Sequence, residues 1–128
     1  MIVLDASAAV DLLLRRGRHT QVEPLVREHE VAGPDLLTAE VLHVLRRFEH
    51  RGELGTTRAA EAVEDLLDLP LEVYPLSPLA RAMWSMLADV SAYDAAYVAL
   101  AAGLDAQLLT TDDRLARTAR RHCRVVDL

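Results

Sequence analysis

Short aliphatic runs alternate with longer helix-patterned segments along this chain, and that alternation leaves few architectures open. Ile2–Asp5 reads as a buried strand and Ser7–Arg15 as the helix after it. A second helix is expected over about His19–His29, with Pro24 as an irregularity or a new first turn. Val31–Pro34 is a short strand ending in a turn. Leu36–Arg51 is a helix whose Leu37, Val41, Val44, Leu45 and Phe48 form one apolar stripe at about 100° per residue. Thr56–Leu67 is a further helix, opened by Thr56 or Thr57, and Leu71–Leu76 has strand character. Ser77-Pro78 starts a helix in the cap-then-proline order, running to about Ala88. Ser91–Leu104 is helical, followed by strand Gln107–Thr110, helix Asp113–Arg121 and a closing strand Arg124–Val126. Strands that alternate with helices specify an α/β domain with a parallel sheet and right-handed crossovers. No repeat, low-complexity tract or linker interrupts the pattern, so residues 1–128 are expected to form one domain.

Composition narrows the setting. Hydrophobic residues make up 52% of the chain, rich in Leu, Val and Ala, with one Phe and one Trp, which suits helices packed closely on a sheet. Cys123 is the only cysteine, so neither an intrachain disulfide nor a thiolate zinc cluster can form, and a reducing, cytoplasmic setting is expected. No signal peptide is readable and no apolar stretch approaches the roughly 20 residues of a membrane span. The net charge of −6 argues against nucleic acid, but its distribution tempers that: all 14 basic residues are arginine and several cluster.

Four acids stand where a parallel sheet would bring them to one edge. Asp5 follows the first strand and Asp112 the late one; Asp94 opens a helix of small residues, and Glu40 lies on the flank of the apolar stripe in its helix. Ligand crevices form at the carboxyl ends of such strands. Each acid also has a plain explanation. Asp5 or Ser7 can be a helix N-cap, Ser91-Ala-Tyr-Asp94 has capping-box spacing, and one of Asp112 and Asp113 is expected to cap the next helix. We assign Asp112 to the site and leave Asp113 as the cap or an outer acid. Glu40 could remain a solvated glutamate. If the four converge, two carboxylates about 4 Å apart repel by roughly 4 kcal/mol at an effective dielectric of 20, so the cluster needs a cation.

The order and spacing of these segments carry a family resemblance. Ile2-Val-Leu-Asp-Ala-Ser7, Leu37-Thr-Ala-Glu40-Val-Leu, Tyr93-Asp-Ala-Ala-Tyr-Val-Ala-Leu-Ala101 and Leu108-Leu-Thr-Thr-Asp112-Asp-Arg-Leu115 together resemble a PIN domain. The resemblance is closest to the VapC-type ribonuclease toxins of toxin–antitoxin systems and runs essentially end to end. It implies a three-layer α/β/α fold with a mostly parallel sheet. It also implies that Asp5, Glu40, Asp94 and Asp112 hold Mg²⁺ or Mn²⁺, with Ser7 and Thr110 as supporting hydroxyls. A VapB-type antitoxin, a structured RNA substrate such as tRNA or rRNA, and a homodimer follow from the same likeness. For the dimer, Trp84, Met83 and Met86 are the residues to watch, unless they are ordinary core.

Hard oxygen ligands without cysteine, and histidines without metal-site spacing, suit magnesium or manganese rather than zinc. His19, His29, His43, His50 and His122 read as surface residues. Such a site can activate water for attack on a phosphodiester, while arginines grip the RNA backbone. Arg15, Arg47, Arg114 and Arg117 are the candidates. Phosphotransfer domains with an aspartate after the first strand also use a lysine, and this chain has none. A Walker-type Gly-x-x-x-x-Gly-Lys loop is missing as well. A different class of reading survives: a binding module whose acidic pocket receives a basic partner segment without cutting RNA.

Overall fold

The computed structural model describes residues 1–128. Its centre is a five-stranded sheet of β1 (Ile2–Leu4), β2 (Val31–Pro34), β3 (Leu71–Tyr74), β4 (Gln107–Leu109) and β5 (Arg124–Val125). The order is β3-β2-β1-β4-β5 and every neighbouring pair is parallel. "Mostly parallel" is therefore tightened to wholly parallel. The central strand β1 has both faces covered, and Ile2, Val3 and Leu4 are all essentially inaccessible to solvent. That is why this strand reads as an unbroken apolar run and not as an alternation.

Seven helices complete the chain: α1 (Ala6–Leu14), α2 (His19–Glu28), α3 (Leu36–His50), α4 (Thr56–Asp68), α5 (Ala80–Ser85), α6 (Ala92–Gly103) and α7 (Asp113–Ala119). The first four pack on one another through α1 and α3, whereas α6 packs on β1, β2, β4 and α5. The chain steps from β1 to β2 to β3 in one direction, then returns to the far side of β1 for β4 and β5. Right-handed crossovers consequently put α1–α4 on one face and α5–α7 on the other. The reversal creates a switch point between β1 and β4, where crevices open at the carboxyl ends of the strands.

Two helices set the shape of that edge. In α3, Leu37, Val41, Leu45 and Phe48 are buried and Val44 half-buried, so the predicted stripe is the packed face. In α6, the seven residues Ala95–Ala101 are all buried. Four are alanine, and their short side chains let the helix press on three strands at once. Its first turn then stands beside the strand ends.

Departures from the expected elements are local. Pro24 lies inside a continuous α2; the one hydrogen bond it removes leaves a carbonyl at exposed Thr20, where water can satisfy it. Ser77-Pro78 seeds only a 3-10 turn, Ser77–Leu79, and α5 ends at Ser85 rather than near Ala88. Gly55, not Thr56 or Thr57, is the N-cap of α4. Met86 is buried in the core and Met83 is half-buried, which removes Met86 from the surface residues expected at a dimer contact; Trp84 alone of the three is open, at 78% exposure. No helix is long and apolar enough to cross a membrane.

Candidate active site

β1 and β4 pair in the register Leu4↔Leu109, so Asp5 and Thr110 leave the sheet side by side. The Thr110 hydroxyl donates to Asp5 Oδ2 at 2.8 Å, and Ser7 Oγ donates to the same oxygen at 2.6 Å. The two hydroxyls are 3.0 Å apart, and the Thr111 amide donates to Ser7 Oγ at 3.1 Å. Asp5 also caps α1 by accepting from the Ser7 amide. Cap and site candidate are one residue. The bonds from the Ser7 hydroxyl and amide and from the Thr110 hydroxyl all fall on Oδ2, so Oδ1 retains lone pairs for a cation.

Asp5 is only 5% exposed. Burial holds its carboxyl above the usual carboxylate range, and the bonds from Ser7 and Thr110 offset this only in part. Glu40 and Asp94 are half-buried and raised too, by desolvation first and then by the Asp5 charge. Asp94 feels Asp112 in addition, with Arg114 opposing; for Glu40 the nearby Tyr97 hydroxyl and His43 oppose. Raised affinity for protons in mutually repelling acids is the mark of a site short of positive charge.

The carboxylates share one pocket of about 420 Å³, lined among others by Asp5, Ser7, Glu40, Arg47, Asp94 and Asp112. No three acids are already drawn into a coordination sphere. The donor set nonetheless suits a hard divalent ion: carboxylate oxygens only, one of them buried, with lone pairs free and their charges uncompensated. A larger cavity, about 870 Å³, lies elsewhere, at the amino edge of β2 and β3, and is lined by both acids and arginines. Chemistry rather than size marks the smaller one.

Other expected residues fall in several places. Asp112 itself caps α7, with Oδ1 accepting from the amides of Arg114 (3.0 Å) and Leu115 (3.2 Å). Of the two acids, the cap is therefore Asp112, and Asp113, left as the cap or an outer acid, is the outer one: it forms a paired contact with Arg18, both bonds 2.8 Å, at the surface. The geometry explains the choice: Asp112 has the extended backbone of a cap, whereas Asp113 is the first helical residue. Arg47 lines the acid pocket, and Arg114 flanks Asp94 from an adjoining cleft. Arg117 is exposed on α7, three positions on from Arg114. Arg15 is carried to the far end of α1 and lines the large cavity, away from the acids. His122 is no free surface residue, since its Nε2 meets Asp89 at 2.7 Å.

Two pocket-lining residues escape the sequence reading. Asp11 is buried and stands four positions after Ser7, one helical turn along the same face, a spacing that carries the signal. Arg16 lies with its guanidinium 4.3 Å from the centre of the Phe48 ring and 3.7 Å from Asp11. That stack joins the turn after α1 to α3 and has no local signature.

The double role of Asp112 gives a separable expectation. Asp112→Ala should cost about 1 kcal/mol through loss of the cap, whereas Asp112→Asn, also a good cap, should unfold within a few tenths of the parent. Urea unfolding of both variants checks it; equal losses would show that the cap contributes nothing.

The chain is similar to known proteins over nearly all of its length. A sequence model of the PIN domain matches residues 2–121. Ribonuclease VapC9 of Mycobacterium tuberculosis strain H37Rv is 39% identical over 123 residues, covering 96% of this chain and 94% of the relative. Ribonuclease VapC1 of the same strain is 41% identical over 125 residues, with 96% and 94% covered. Among solved structures, VapBC2 from Rickettsia felis bound to a promoter DNA fragment superposes with a TM-score of 0.71 at 13% identity, covering 98% of both chains.

Proposed function

The chain belongs to the PIN domain family, and on that premise we propose that it is a divalent-metal-dependent endoribonuclease, the toxin of a VapBC-type toxin–antitoxin pair. The observation that carries the reading is the pocket at the switch point, which Asp5, Glu40, Asp94 and Asp112 line together and in which Asp5, Glu40 and Asp94 hold protons more tightly than ordinary carboxylates. Relatives named as ribonucleases at about two-fifths identity support the reaction class. Residues 1–128 act as one domain, in the cytoplasm, on a structured RNA such as tRNA or rRNA.

Asp5, Glu40, Asp94 and Asp112 would hold Mg²⁺ or Mn²⁺. When bound, such an ion lowers the pKa of water and offsets charge on the phosphoryl oxygens. The chain's own residues do the rest. Ser7 and Thr110 hold Asp5 Oδ2, so that the carboxylate cannot rotate. The amide bonds of the α7 cap fix Asp112 in the same way. Arg47 and Arg114, on two flanks of the acids, suit the phosphates on either side of the scissile bond. Arg117 extends that track along α7, and Arg15 drops from it.

A VapB-type antitoxin is the partner this reading requires, and a homodimer is its expected assembly, with the exposed Trp84 as a contact. The purified chain should cut structured RNA with Mn²⁺ or Mg²⁺ and stop when EDTA is added. Binding of a basic partner peptide with no cleavage under any divalent ion would sink the enzyme reading in favour of a binding module.

A further inference from the structure

Tyr97 is completely buried, and its hydroxyl is the one buried side-chain polar atom in the molecule without a hydrogen-bond partner. A buried phenol ordinarily finds one. The residue stands three positions after Asp94, so both project from the same face of α6. Glu40, from α3, is the carboxylate nearest in influence, followed by Asp5 and Asp94. An unbonded donor thus faces a carboxylate that lacks a compensating charge. The phenol is near enough for each group to shift the other's hold on its proton, yet the hydroxyl has no partner at ordinary hydrogen-bond geometry.

Resting on the metal-site reading above, we propose that Tyr97 is a positioning residue for Glu40: its hydroxyl donates to the Glu40 carboxylate once a cation draws that side chain into the pocket. One oxygen of Glu40 is then held by the phenol and the other is presented to the ion. Groups that hydrogen-bond to metal ligands typically govern affinity by about 10- to 100-fold. Burial and the surrounding carboxylates keep the Tyr97 proton in place well above its ordinary range, so the hydroxyl is a donor throughout.

The test compares the full chain with Tyr97→Phe, which keeps the ring and removes only the oxygen. Mn²⁺ affinity is read by electron paramagnetic resonance of the free ion, and melting is followed with and without Mn²⁺. The metal-free variant should melt no lower than the parent, because an unbonded buried hydroxyl stabilises nothing. Its Mn²⁺ affinity should fall about tenfold, and in a Glu40→Ala background, which removes the acceptor, the same change should have no further effect. Unchanged affinity, a lower melting temperature without metal, or an undiminished effect beside Glu40→Ala would each overturn the proposal. A parent chain that fails to bind Mn²⁺ would overturn the metal site as well, which separates the two failures.

Discussion

Asp5→Asn is expected to lower RNA cleavage by about 10³-fold or more while raising the melting temperature of the metal-free protein. The two effects come from the same charge. Asp5 is nearly inaccessible, and its charge is disfavoured by desolvation more than the Ser7 and Thr110 hydroxyls favour it. Asparagine has almost the same shape and keeps an oxygen to accept from those hydroxyls. Removing an uncompensated buried charge should stabilise the fold by on the order of 1 kcal/mol, a few degrees for a chain of this length. Activity moves the other way, because a metal ion supplies several kcal/mol of transition-state stabilisation and each 1.36 kcal/mol is tenfold in rate. Cleavage of RNA and calorimetry on the same preparations decide it. Parental cleavage, or a lower melting temperature, would refute the placement of Asp5.

Stability of the metal-free protein should fall as pH rises from about 4 to neutrality, and a divalent ion should reverse the trend. The folded-state values of Asp5, Glu40 and Asp94 lie above their ordinary ones. The native state therefore binds more protons than the unfolded chain across the interval between ordinary and raised values. Stability is lost as pH rises through that interval; the penalty is complete above it and absent below the ordinary carboxylate range. Asp113 acts with the opposite sign, lowered by its bond to Arg18, but this pair lies at the surface, where solvent and salt screen it. Mn²⁺ at about 100 times its dissociation constant should add roughly 2.7 kcal/mol, on the order of 10 °C in melting temperature. That increment should shrink toward pH 4, where protons occupy the same oxygens. A protein that melts higher at pH 7 than at pH 5 without metal, and ignores Mn²⁺, would not have this site.

The elements themselves were readable because each is written locally. Ile2–Leu4 is apolar on both faces, α3 carries its stripe at helical spacing, and Ser91 caps α6 with a bond to the Asp94 amide. Caps were harder to assign. Asp112 and Asp113 are chemically equivalent neighbours, and only the backbone angles of the strand exit choose between them. Arg15 and Arg16 pose the same problem. The left-handed backbone at Arg15 ends α1, after which one side chain faces the large cavity and the other the acids.

By itself, the sequence determined that this chain forms helices crossing over a parallel sheet, and that acids close its strands, because apolar period and turn chemistry act over a few residues. Only the tertiary structure decided which strands are neighbours. The return of β4 to the free side of β1 joins Asp5 to Thr110 across 105 positions. It was the tertiary structure, too, that put Asp11 and Arg16 in the pocket and left the Tyr97 hydroxyl unpartnered beside Glu40. Those outcomes depend on how whole faces pack, and packing couples residues that share no local pattern.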